Sequence, residues 1–239
     1  MRTLRVLGQL LAYPSPALIT ALPECQACLV AENICTHADR QQLDALMQDM
    51  ASRNLLDVQE DYVTLFDRTP SLSLHMFEHV HGDSRDRGQA LAELIEVYND
   101  AGLAVTTTEM PDFLPLFLEF LSTLSADEAK QNLGDIVDLL ALLKARLANR
   151  QSRYASVFAT LVKLAAKKPD TNILASGLGR DKGGAITPSE MDKAWAEMPA
   201  FDTAPADGSA NTGACPKATD MLSRIESQTN QPAKKGACR

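Results

Sequence analysis

The run FDRTPSLSLHMFEHVHGDSRDRG, Phe66 to Gly88, concentrates the unusual chemistry of this chain. It holds three of the four histidines, two Asp/Arg pairs and several large apolar side chains. Around it the sequence reads as helix after helix. Asp57 followed by Glu60 resembles a capping box, opening a helix whose inner face carries Val58, Tyr62, Leu65 and Phe66 and which must stop before Pro70. A short helix is expected from Leu72 to Val80, ended by Gly82, the residue that best tolerates a left-handed turn. Asp83 is then placed to cap a longer helix with Asp86 in its first turn. Leu91, Leu94, Ile95 and Tyr98 form its inner face and Gly102 its stop.

The flanking sequence continues the pattern. Leu4, Leu7 and Leu11 repeat at helical spacing, and Gly8, Gln9 and Pro14 interrupt what otherwise mimics a signal peptide, so the opening reads as a core helix. Poorly patterned helical material runs to about Cys35, and Leu43, Leu46, Met47 and Met50 mark the face of a third helix. Downstream, Asp112 is placed to cap a helix with Pro115 in its first turn, where a missing N–H loses no partner. Leu114, Phe117, Leu118 and Leu121 form its face, and Phe117 and Phe120 lie on different sides, as in a helix central to a core. Ser125 and Glu128 form another capping box. Ile136, Leu139, Leu140, Leu143 and Leu147, then Tyr154, Val157, Phe158, Leu161 and Ala165, define two more faces. No window alternates as a strand does, so the expected fold is all-α, a single-domain helical bundle over residues 1–168.

The pattern changes at Pro169. Residues 169–186, with four glycines and few apolar side chains, read as a linker. An isolated amphipathic helix at 187–201 opens with Thr187-Pro188-Ser189-Glu190 and carries the single tryptophan, Trp195. The composition of the tail, 202–239, favours disorder.

Composition narrows the function. The chain has 239 residues, 45% of them hydrophobic, enough for a sizeable core. Its net charge of −8 disfavours nucleic acid and anionic membranes and favours a basic partner. No stretch approaches the roughly 20 apolar residues of a membrane span. The five cysteines show no framework spacing. A soluble, cytoplasmic protein in a reducing compartment is expected.

Four local signals bear on chemistry. His75-Met76-Phe77-Glu78-His79 fits H-x-x-E-H, which on a helix places two imidazoles one turn apart as a zinc pair with Glu78 as general base. A zinc-dependent hydrolase is therefore the alternative reading, although a third ligand is wanting and Met76, Phe77 and Val80 look buried. Cys25, Cys28, Cys35 and His37 are soft ligands, but the spacing suits cysteines acting as small apolar residues better. Asp83 to Gly88, at a helix start, has two arginines to hold an anion, yet its aspartates already serve that end. The apolar wealth of Phe113 to Leu121 suits a core helix or the wall of a groove for a partner's helix. These residues favour a binding protein over an enzyme.

The passages Asp61 to Leu91, Glu109 to Ser122 and Ala145 to Ala165 resemble the nitrate reductase molybdenum cofactor assembly chaperones of the NarJ type, within the TorD-like redox-enzyme maturation proteins. The resemblance spans residues 1 to about 166. It implies a cytoplasmic all-helical chaperone that binds the N-terminal segment of the apo catalytic subunit of respiratory nitrate reductase. Such a chaperone holds its client off the membrane and assists insertion of the molybdenum guanine dinucleotide cofactor, without binding a cofactor stably or a metal itself. Molybdenum cofactor biosynthesis proteins are further implied partners; nucleic acid and direct membrane insertion are not. The motif positions that carry over are Tyr62, Phe66, Phe77, Glu78, His79, His81, Asp83, Arg85, Arg87, Glu109, Pro111 and Asp112. Where the wider group often has histidine after the Pro-Asp pair, this chain has Phe113, so no role of that histidine transfers.

Overall fold

Eleven α-helices appear among the described residues of this computed structural model, which are 1–81, 86–104 and 109–178, with only the backbone described at His81 and Ser176. They are α1 (Arg2–Leu11), α2 (Pro16–Glu32), α3 (His37–Ser52), α4 (Leu55–Tyr62), α5 (Met76–His81), α6 (Asp86–Asp100), α7 (Leu114–Thr123), α8 (Ala126–Asp135), α9 (Val137–Asn149), α10 (Ala155–Leu164) and α11 (Thr171–Leu178). No strand occurs among them, only an isolated antiparallel bridge between His75 and Phe113. The fold is an all-α bundle, as expected. Among the described residues no helix is long and apolar enough to cross a membrane.

The centre is the pair α1 and α7. Leu4, Leu7, Leu10 and Leu11 meet Leu114, Phe117, Leu118, Phe120 and Leu121, all buried. The two run antiparallel: the Met1 ammonium donates to the Ser122 carbonyl at 2.9 Å, while Gly8 lies against Pro115 at the other end. A Cβ on Gly8 would stand 3.0 Å from the Pro115 carbonyl oxygen and 3.3 Å from Leu118 Cβ, so glycine here permits close approach. The N-terminal N–H groups of α1 lack intrahelical acceptors. Glu32, at the end of α2, accepts from Arg2 N at 2.7 Å and from Thr3 Oγ1 at 2.6 Å. Burial pushes the Glu32 carboxyl up, but these bonds outweigh it and hold it below its ordinary range. Around the central pair, α3, α9 and α10 complete the core, with α11 laid on α9.

Several boundaries differ from the sequence expectation. Helix α4 is capped by Asn54, whose side chain accepts from Leu56 N at 3.0 Å, and Asp57 falls in the first turn. The helix then widens into a π-turn, Val63–Asp67, with Arg68 N donating to Val63 O at 2.9 Å. This extra residue keeps Tyr62 and Phe66 both buried and leaves Leu65 half-buried. The expected helix from Leu72 is a 3-10 turn, Pro70–Leu72, followed by an extended stretch, and α5 begins only at Met76. In α6 the inner face is Ala90, Leu94, Val97 and Tyr98, whereas Ile95 is exposed. Gly102 ends that region with φ of +77°, which favours glycine. The Ser125–Glu128 capping box opens α8, and a break at Ile136 separates it from α9. The start of the expected linker, 171–178, is helix α11. The rest of the linker, the helix at 187–201 and the tail lie outside the described residues.

One polar tie joins distant parts of the core. Asp39 completes a capping box with Thr36 at the start of α3 and receives Lys163 from α10. Burial raises the Asp39 carboxyl, but Lys163 and Thr36 overcome this and leave it below the ordinary carboxylate range.

Two outcomes follow for stability. Asp39→Ala should cost about 1–2 kcal/mol, chiefly the lost cap, since Lys163 is half exposed. Because the folded carboxyl is depressed, its contribution exists above its unfolded pKa and fades as pH falls through the folded one. Urea midpoints of wild type and Asp39→Asn should therefore converge below about pH 4. Gly8→Leu should destabilise by about 1–3 kcal/mol by forcing α1 off α7, measured as a lowered thermal midpoint.

Candidate functional site

The motif run and the segment before α7 meet at one buried carboxylate. Asp112, fully buried, accepts the Phe77 N–H at 3.0 Å and lies 3.3 Å from His75 Nδ1. Its backbone carbonyl accepts from Met76 N at 3.0 Å, and Leu114 N donates to Leu74 O at 2.9 Å. Asp112 thus does not cap α7; Phe113 occupies the cap position with no side-chain bond. The carboxylate turns instead to α5, whose first-turn N–H groups have no acceptor within the helix.

Several neighbouring side chains, of which His79 and Tyr62 belong to the motif, likewise bond to backbone. His79 Nε2 lies 2.8 Å from the Ser73 carbonyl, and Tyr98 donates to the Pro111 carbonyl at 2.8 Å. Arg146, from α9, donates to Ser71 O at 2.6 Å and to Gly177 O at 3.2 Å. Phe77 is buried, and exposed Glu78 pairs with Arg87 at 3.2 Å. Tyr62 donates to Leu11 O at 2.8 Å, and Phe66 stacks between Tyr62 and Tyr154 at 5.0 and 5.1 Å. Of the predicted motif, Tyr62, Phe66, Phe77, Pro111 and Asp112 are buried and His79 is half-buried. Among the described motif residues, Glu78 and Glu109 are exposed and Arg87 half-buried. The side chain of His81, with Asp83 and Arg85, lies outside the described residues.

This arrangement is unsuited to the zinc reading. His75 precedes α5, so His75 and His79 are not one helical turn apart on a common face, and each ring already meets its own acceptor. Among the described residues no group of three or more His, Cys, Asp or Glu is arranged to hold a metal. Cys25 and Cys35 are buried and Cys28 half-buried, all with free thiols. Burial pushes the Cys25 and Cys35 thiols up, which makes them poor thiolates.

What the hub presents outward is His75, half-buried and ring to ring with Phe113 at 5.4 Å, beside the exposed Met110. The bond to Asp112 raises the His75 imidazole above its ordinary value despite burial, with further help from Glu78 and Glu109. Asp67 also lies within the field of His75. His79 is shifted the other way by burial. The imidazole thus lies within the field of Asp67, Glu78 and Glu109, and Met110, whose carbonyl accepts the Phe113 N–H at 3.0 Å, is exposed next to Glu109 in the chain. No local pattern marks His75, Ser73 or Arg146 as partners, because every bond concerned is to a backbone carbonyl or to a residue far along the chain.

A second feature lies across the π-turn. A cleft of about 350 Å³ is lined by apolar Leu46, Met50, Val58 and Leu65 and by charged side chains from α3, α4 and the α9–α10 corner. Neither its acids nor Tyr154 belongs to the motif list.

The sequence profile of the family described as nitrate reductase delta subunit matches residues 32–160. The chain is 41% identical over 197 residues to the nitrate reductase molybdenum cofactor assembly chaperone NarJ of Escherichia coli strain K12, covering 82% of this chain and 83% of the relative. It is 34% identical over 197 residues to NarW of the same strain, named as a probable chaperone of that kind, with 82% of each chain covered. A NarJ relative of Bacillus subtilis strain 168 is 28% identical over 160 residues, 67% of this chain and 86% of the relative. This chain therefore belongs to the nitrate reductase delta subunit family and is an assembly chaperone, not an enzyme.

Proposed function

We propose that this protein serves a respiratory nitrate reductase, binding the N-terminal segment of the apo catalytic subunit and holding it off the membrane. The client is released once the molybdenum guanine dinucleotide cofactor, and by implication the nearby iron–sulfur centre, is in place. The chaperone acts in the cytoplasm, alongside molybdenum cofactor biosynthesis proteins, and holds no cofactor stably itself. The observation that carries the reading is the outward face of the hub. Met110, half-buried Phe113 and the His75 ring offer apolar contact, and Asp67, Glu78 and Glu109 supply negative charge around them.

That face fits an amphipathic segment with a basic margin. Apolar anchors supply affinity, and charge complementarity supplies encounter rate and register. The interior motif residues act through the backbone they hold, so substituting Phe66 or Asp112 disturbs the fold before it tests recognition. A surface pair is the better probe.

A peptide copying the first residues of the client's catalytic subunit should bind with roughly micromolar affinity. Glu109→Lys and Met110→Asp should each weaken it about tenfold, ~1.4 kcal/mol, with unchanged circular dichroism. Calorimetric titration showing no binding to the wild type, or equal binding to all three proteins, would overturn the proposal.

A further inference from the structure

We propose that Arg146 is a positioning residue for client binding: from α9 its guanidinium clamps the loop that carries His75, with helix α11 as the opposite jaw. This deepens the client-binding reading, on which its purpose rests.

The loop has to be held from outside. Between the 3-10 turn Pro70–Leu72 and α5 no helix satisfies its carbonyls in sequence. Ser73 O meets His79 Nε2 at 2.8 Å and Leu74 O accepts from Leu114 N at 2.9 Å, both within the hub. Ser71 O is met from elsewhere, by an amino group of Arg146 at 2.6 Å, across 75 positions of sequence.

Arg146 is only 7% exposed. A cation so enclosed is tolerated where its donors are used, and charged donors make the stronger kind of hydrogen bond. The other amino group donates to Gly177 O at 3.2 Å. Gly177 lies in the last turn of α11, where carbonyls lack an intrahelical donor and a cation is favoured. One planar group thus bridges two backbone segments far apart in the chain and fixes the distance between them.

Helix α11 is seated for that role. Asp170 N donates to Asp138 Oδ1 at 2.8 Å, which ties the start of α11 to α9. Near its other end a Cβ on Gly177 would stand 2.8 Å from Leu142 Cδ1, so the two helices touch there. Leu142 and Arg146 are one turn apart on α9 and share a face, which places the guanidinium at the edge of this contact. The clamp also reaches His79. Burial is the main cause of its lowered imidazole pKa, and the bond to Ser73 opposes it. The Arg146 charge adds to the lowering, against weaker opposition from Glu78 and Asp112. The Ser71 and Ser73 carbonyls are therefore held by groups that feel each other, just ahead of His75. A loop so held need not be ordered by the client, and ordering subtracts from affinity.

The test uses the full chain and the peptide copying the client's first residues. Arg146→Lys keeps the charge but loses the planar pair of donors, and Arg146→Gln loses the charge as well. Both should raise the peptide dissociation constant about tenfold with unchanged circular dichroism. Gly177→Val, which leaves the core residues untouched, should raise it about threefold by pushing α11 off Leu142. NMR titration separates charge from packing: the His79 midpoint should rise in Arg146→Gln and move less in Arg146→Lys. Unchanged peptide constants in both Arg146 variants overturn the proposal. So does an unchanged His79 midpoint in Arg146→Gln, an unchanged constant in Gly177→Val, or a loss of binding matched by an equal loss of helix content. Should the Arg146 variants fail to fold, Gly177→Val decides. A wild type that binds no peptide overturns the client reading and removes the clamp's purpose with it, whereas a wild type that binds beside variants that bind equally overturns the clamp alone.

Discussion

One buried carboxylate organises the functional half of this molecule. Asp112 has no exposure to water, and the groups that satisfy it, the Phe77 N–H and the His75 ring, come from a segment some 35 residues earlier. An ionised side chain in such a place is tolerable only when bonded, since an uncompensated buried charge costs several kcal/mol. The consequence is that residues 73–77 and 110–114 form a single unit. Helix α7 leaves that unit and immediately packs on α1, so the position of the motif and the position of the central helix pair are fixed together.

The same logic explains why several polar side chains around the motif turn to backbone. Between Asp67 and Met76 the chain forms only one 3-10 turn, so most of its peptide groups lack regular partners. Arg146 takes Ser71 O, His79 meets Ser73 O, and Tyr98 takes Pro111 O. Each long side chain replaces a bond that a helix would have made locally. A stretch of irregular backbone is thereby held as firmly as a helix, which a binding surface needs if ordering is not to consume its affinity.

Much of the fold was legible because helical burial is a local pattern. The leucines of α1, the apolar face of α7 and the Ser125–Glu128 cap require no knowledge of distant residues, and they stand as read. What the pattern did not carry were its interruptions. The π-turn after Tyr62 and the break at Ile136 conserve the apolar spacing on either side, so periodicity passes through them unmarked. Asn54 rather than Asp57 caps α4 because a carboxamide one turn earlier serves equally well. Asp112 looked like a cap because its partners at 75 and 77 are remote in sequence. The candidate site residues came from family resemblance and not from chemistry. The H-x-x-E-H spacing has meaning only on a continuous helix, and the bridge between His75 and Phe113 keeps His75 off it.

These constraints separate rigidity from recognition. The hub's bonds are few and buried or part-buried, and they tie residues 73–77, 111–112 and α9 together. The charges at its rim and along the neighbouring cleft are exposed pairs, individually weak and screened by salt. A chaperone must grip its client and later let go, and weak charges over a firm apolar base allow both: contact area sets affinity, while replaceable ion pairs set register without adding a barrier to release. An enzyme site has the opposite need, with its charges enclosed and preorganised toward a transition state. In this hub the enclosed polar groups mostly meet backbone, while Glu78 and Glu109 are left to water.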